Sequence, residues 1–244
     1  MPVDRIKKKV FIHIPKTAGT SVEVSMNIIQ YSGEDDINLN IAGKNSSSEE
    51  SLFGNSVQHW SAIEVCEKLI SSGCELKDFN FFTVLRDPSD RLLSHYLGRK
   101  KGWLKSSQKP VNNILAVIIF LAKLSISRII ISTTPNGRQR FLKKRLYSQY
   151  EHIRSQCSYI RKCPMPIELW DFARLDKLSS KLENSGYKPI PKYRVNKRIP
   201  SKLVQTIIRI YTKIFYFGDH RLYNRIKESK TPCLMVNGAI HEAI

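Results

Sequence analysis

The sequence predicts an α/β fold of three layers, with a central, mainly parallel sheet flanked by helices. Three observations carry that reading. Two apolar runs, Lys8–Ile14 and Phe79–Leu85, have the length and residue types of buried strands. Each run ends in a proline turn, Pro15 in one and Arg86-Asp87-Pro88 in the other. Each turn leads into a stretch with helical spacing, and strand–helix alternation is the pattern of parallel sheets.

The elements follow in order. Gly19-Thr20-Ser21 opens the first helical stretch, Val22–Gln30. Residues 31–50 are polar and rich in Ser, Asn and Asp, the composition of a loop or insert. Ser61–Ser71 sets Ile63, Cys66, Leu69 and Ile70 at helical intervals. Asp87 and Pro88 suit the N-cap and first position of a helix reaching about Leu97. Residues 99–110 are basic, and 111–131 are apolar with a mixed period. Leu146–Ile160, Asp176–Asn184 and Ser201–Phe215 read as helices, with Pro189 and Pro191 linking the last two. No internal repeat is evident.

Forty Lys and Arg against 21 Asp and Glu leave a net charge of +19. An excess of that size suits a polyanionic partner: nucleic acid, an acidic polysaccharide, an anionic membrane face or a phosphorylated cofactor. A merely basic surface is the bland alternative. Five cysteines form no CxxC pair, which argues against a disulfide framework and a zinc site and fits a reducing compartment. The start of the chain does not read as a secretory signal. Pro110–Ala122 holds thirteen uncharged residues, whereas a span needs about 20. It reads as a buried or substrate-side segment, so the expected location is cytoplasmic, with peripheral membrane contact as the lesser alternative.

Two segments carry phosphate chemistry. Phe11-Ile12-His13-Ile14-Pro15-Lys16-Thr17-Ala18-Gly19-Thr20-Ser21 is strand, tight turn and helix start. Such a turn presents backbone N–H groups at a positive helix end. Gly19 permits close backbone approach, Thr17, Thr20 and Ser21 offer hydroxyls, and Lys16 offers a flexible charge. A capped helix after a core strand is the plain alternative. The loop is not the GxxxxGK[ST] type, because its lysine precedes the glycine.

The second segment, Val84-Leu85-Arg86-Asp87-Pro88-Ser89-Asp90-Arg91-Leu92-Leu93-Ser94-His95-Tyr96, puts Arg86 at a strand end. Arg91 and Ser94 share a helix face, and a guanidinium with a hydroxyl can hold a phosphate. Ligands of such sheets bind beyond the carboxyl ends of strands, where both segments lie. His59, in Gln58-His59-Trp60-Ser61-Ala62-Ile63-Glu64, stands before a helix between the two segments. An imidazole suits a general base at neutral pH, although a loop histidine before a capped helix is the ordinary reading. His13 reads as packing. His95 reads as facing away from the ligand, and Glu64 as a helix-face carboxylate.

Both phosphate segments resemble the carbohydrate sulfotransferases that use 3′-phosphoadenosine-5′-phosphosulfate (PAPS), in particular the heparan sulfate 2-O and 6-O group and its bacterial relatives. FIHIPKTAGTS is similar to that family's 5′-phosphosulfate loop, and RDPxxRxxSxY to its 3′-phosphate motif. The resemblance implies a P-loop-like sulfotransferase fold with PAPS as cosubstrate and no required metal. It implies that Lys16 meets the 5′-phosphate and bridging oxygen, and that the loop through Thr17, Ala18, Gly19, Thr20 and Ser21 wraps the phosphate. It implies that Arg86 and Ser94 bind the 3′-phosphate and that His59 is the base. Asn136–Leu142 resembles the acceptor-cleft region with its spacing shifted by one, which marks Arg138 and Arg140 as acceptor contacts. Tyr193–Arg198 resembles the loop over the cofactor, implying Asn196, Lys197 and Arg198 as cofactor contacts, with Arg198 where serine is usual. Trp170–Leu178 and Ile210–Asp219 resemble a later core strand and the closing helix.

The expectation is one domain over residues 1–244, with 31–50 as a polar loop and 99–145 as an acceptor-side insertion. Its acceptor is a glycan or other hydroxyl compound, acidic in keeping with the charge, and neither nucleic acid nor a transmembrane span is expected. A nucleotide-dependent kinase of related fold and a non-catalytic polyanion binder are the alternatives. The first needs a metal-binding hydroxyl after a P-loop lysine, and the second needs no ordered phosphate motifs.

Overall fold

The computed structural model describes residues 3–28, 59–98, 114–133, 152–191, 200–231 and 233–236. In chain order these form β1 (Val3–Asp4), β2 (Lys9–Ile12), α1 (Gly19–Ser25), α2 (Ala62–Ser71), β3 (Asn80–Leu85), α3 (Pro88–Gly98) and α4 (Ile114–Thr133). Then follow α5 (Gln156–Ile160), β4 (Ile167–Asp171), α6 (Leu175–Asn184), α7 (Lys202–Phe215), α8 (Phe217–Glu228) and β5 (Cys233–Val236). The sheet order is β1-β2-β3-β4-β5. The three inner strands are parallel, with Phe11 opposite Phe82 and Thr83 opposite Leu169. The two edge strands are antiparallel.

Alternation along the strands builds the three layers. Val10, Ile12, Phe81, Ile167 and Leu169 face one way and pack with α2, α5 and α8. Phe11, Phe82, Val84 and Trp170 face the other way and pack with α1 and α6. A third cluster beyond the sheet joins α3, α4 and α7 through Leu92, Val117, Leu121, Val204 and Ile208. The predicted α/β class and its central parallel strands are therefore present.

Two helices differ from their predicted extents. The first runs Gly19–Ser25 rather than Val22–Gln30. Asn27 takes a left-handed conformation (φ 57), and Ile28 N–H donates to Glu23 O at 2.9 Å, the bond pattern that terminates helices. In the stretch predicted as Leu146–Ile160, residues 146–151 lie outside the described set, His152 and Ile153 are helical, and a break at Arg154-Ser155 separates them from α5, Gln156–Ile160. Its start is set by Asp219, whose carboxylate accepts from the N–H groups of Gln156 (2.8 Å) and Cys157 (3.0 Å). Glu64 is a capping residue, accepting from Ser61 N–H at 2.7 Å and from the Ser61 hydroxyl.

Candidate functional site

The site lies at the carboxyl ends of β2 and β3. Between β2 and α1 the chain takes left-handed conformations at Lys16 (φ 69) and Ala18 (φ 68), both unusual for non-glycine residues. Alternating hands turn successive N–H groups toward one concavity, an arrangement suited to anions. Thr17 is fully buried and its hydroxyl donates to Ile14 O at 2.7 Å. That hydroxyl braces the turn, so the expected hydroxyl contact from Thr17 is replaced by what its backbone can offer. Thr20 is half-buried and Ser21 buried at the start of α1.

Gly19 has a nearer cause than ligand approach. A Cβ there would stand 2.1 Å from Cδ2 and Nε2 of His13. His13 is buried and held in place, its Nδ1–H donating to Glu23 Oε1 at 2.8 Å. The Lys16 ammonium lies against the last residue of α3, where a Cβ on Gly98 would be 3.2 Å from Nζ.

Arg86 follows β3 and reaches the first loop. Its Nη1 approaches Lys16 O at 3.4 Å, and its guanidinium lies 4.4 Å from the Phe172 ring centroid. Its Nε is buried with no hydrogen-bond partner among the described residues. Burial pushes the guanidinium pKa down, while Asp90 and Asp87 hold it up. A buried cationic donor lacking an acceptor is costly, and an anionic oxygen would satisfy it. The residues present thus fit a phosphate group. Asp87 caps α3 as expected, accepting from Ser89 N–H at 2.8 Å. Ser94 is half-buried on the same helix.

The backbone of Arg86 is pinned by a residue that sequence reasoning missed. Gln156 accepts from Arg86 N–H (3.0 Å) and donates to Arg86 O (2.8 Å) through one side-chain amide. Asp219 holds the Gln156 segment in turn.

Arg91 corrects an expectation. Rather than sharing a phosphate with Ser94, it is 4% exposed and occupied with backbone carbonyls. It donates to Pro15 O (2.9 Å), Arg154 O (2.8 Å) and His152 O (3.4 Å). It therefore ties the first loop to the segment before α5. Arg91→Met is expected to lower stability by about 3 kcal/mol, because buried carbonyls lose a charged donor. Thermal denaturation should show a fall of roughly 6–12 °C in Tm.

His59 sits between two other imidazoles. Its ring is edge-on to His13, with centroids 4.6 Å apart, and to His152, 5.5 Å away. His152 in turn stacks on buried His95 at 5.2 Å. His59 Nδ1 lies 3.3 Å from His13 O, a group that only accepts. Nδ1 therefore carries hydrogen and Nε2 is the basic nitrogen. Burial lowers the His59 pKa well below 6.5, helped by the His13 and His152 rings.

The structure brings together Lys16, Thr17, Ala18, Gly19, Thr20, Ser21 and Arg86, with His59 bonded to the end of the same strand. Asn196, Lys197, Arg198, Arg138 and Arg140 lie outside the described residues. Glu23, His13 and His152 join the site without having been read as functional, since their spacing from His59 follows no local period.

Residues 2–116 match the model of the sulfotransferase family. No curated protein and no solved structure matches the chain.

Proposed function

We propose that this chain, whose residues 2–116 match the sulfotransferase family, moves a sulfuryl group from PAPS to a hydroxyl of a carbohydrate. One observation carries the reading. Arg86 and the Lys16 loop, 70 residues apart in sequence, meet within 3.4 Å, and Arg86 keeps a buried donor without an acceptor among the described residues.

The proposed step is an in-line displacement. His59 Nε2 takes the acceptor hydroxyl proton as the acceptor oxygen bonds to sulfur. The bond from sulfur to the bridging oxygen of the 5′-phosphate breaks, and Lys16 with the loop N–H groups meets the charge left on that phosphate. Arg86 and Ser94 hold the 3′-phosphate. Asn196, Lys197 and Arg198 cover the cosubstrate, and Arg138 and Arg140 meet an acidic acceptor. Residues 1–244 act as one domain, with 99–145 on the acceptor side. The motif resemblance and the +19 charge support a glycan acceptor.

The test is calorimetric titration with 3′-phosphoadenosine-5′-phosphate, followed by an acceptor screen with labelled PAPS. Arg86→Ala is expected to weaken nucleotide binding about 10–100-fold, the value of a charge-assisted hydrogen bond or two. Unchanged affinity in both Arg86→Ala and Lys16→Ala would overturn the assignment. Transfer of label from ATP instead would support a kinase.

A further inference from the structure

We infer that the outer face of α4, together with that of α7, docks the protein on an anionic phospholipid surface. The inference is independent of sulfuryl transfer. The helix α4 is apolar on two sides. Val117, Leu121 and Leu124 are buried in the cluster shared with α3 and α7. Ile114, Leu115, Ile118, Ile119 and Ile126 are exposed, Leu115 at 63% and Ile118 at 51%. Spacings of three, four and five residues put them on one outward face. A helix on the surface of a water-soluble domain ordinarily turns polar residues outward.

The neighbouring helix has a similar outward face. In α7, Leu203, Ile210 and Ile214 are exposed at 51%, 55% and 66%, beside exposed Lys202, Arg209 and Lys213. The two helices touch where Ser125 meets Tyr211 at 3.0 Å, and Arg128 of α4 lies 4.6 Å from the ring of Tyr216, the residue that follows α7.

Charge chooses the occupant. Neither helix contains an Asp or Glu. The sequence between Asp90 and Glu151 carries thirteen Lys and Arg and no acidic residue. An apolar face set in an acid-free, strongly basic stretch matches the interface of an anionic bilayer, where cations meet headgroups and alkyl side chains enter the acyl boundary. Each basic residue near such a surface raises partitioning about fivefold. The geometry is that of lying on a membrane: no helix among the described residues is long and apolar enough to cross one.

The test is flotation of the 244-residue chain with vesicles. Binding is expected to phosphatidylcholine vesicles holding about one-third phosphatidylglycerol, and to fall steeply with salt. Vesicles of phosphatidylcholine alone should bind at least about tenfold less. Leu115→Glu with Ile118→Glu changes two exposed positions, so Tm should hold while binding to anionic vesicles falls about tenfold or more. Lys202→Glu with Arg209→Glu should weaken the same binding at low salt. The inference is overturned by absence of binding to anionic vesicles, or by equal binding of the apolar-face variant. It is also overturned by a dimer in solution that the apolar-face variant dissociates, which would make a second copy the occupant.

Discussion

His59→Ala is expected to slow sulfuryl transfer about 10²–10⁴-fold, the usual contribution of a positioned general base. Nucleotide affinity should change little, because the proposed phosphate contacts lie on Lys16, the loop after it and Arg86. The carbonyl of His13 fixes which nitrogen of His59 is basic. Burial fixes its range: with its pKa held well below 6.5, the ring stays neutral and able to accept a proton throughout the neutral region. The acid limb of kcat/KM should therefore fall below pH 6.5. The same shift bears on stability. The unfolded chain, with an ordinary histidine pKa, binds the proton more readily than the folded one, so this contribution is intact above about pH 6.5 and declines as pH falls toward the lower folded value. A pH series of rate and of Tm checks both. An acid limb above 6.5, or full activity in His59→Ala, would remove His59 from the role proposed for it.

Gly19→Ala is expected to cost both folding and ligand binding. The added Cβ meets the His13 ring at 2.1 Å, and that ring cannot easily retreat, being buried and bonded to Glu23. Overpacking of this kind costs about 1–3 kcal/mol. Because His13 O also holds His59, a displaced His13 should move the proposed base, so activity is expected to fall further than stability. A double-mutant cycle makes the cause readable. His13→Ala should itself destabilise, yet Gly19→Ala added to it should cost much less than in the parent. Additive losses by chemical denaturation would show that the collision is not what makes glycine necessary.

Much of the fold was legible because local rules and the tertiary result agree. The β2 and β3 runs are mostly apolar and buried and a proline follows each within three residues, and Asp87 caps α3 from its own sequence position. Four of the eight α-helices among the described residues, α2, α3, α6 and α7, appear within about a residue of their predicted ends. At the site, the proximity of Lys16 and Arg86 followed from two motifs at strand ends. What was not legible acts across long separations and through backbone atoms. Arg91 looked like a ligand contact because its helix face was right, but its acceptors are three carbonyls, each more than 60 residues away. Nothing in the spacing of Gln156 announces that its amide would pair with the backbone of Arg86. The left-handed turns at Lys16 and Ala18 carry no glycine to mark them, and the reason for Gly19 is a histidine six residues earlier.

The amide of Gln156 bridging to Arg86 means that the anion-gripping half of the chain is completed by the other half. Residues 2–116 contain both phosphate segments and His59, yet the strand beside β3, the clamp on Arg86 and two of the three acceptors of Arg91 all arrive after position 150. During synthesis the ligand-reading loop emerges before the residues that clamp it. A chain stopped at residue 116 would carry every recognisable motif and still leave β3 an open edge, its arginine untethered.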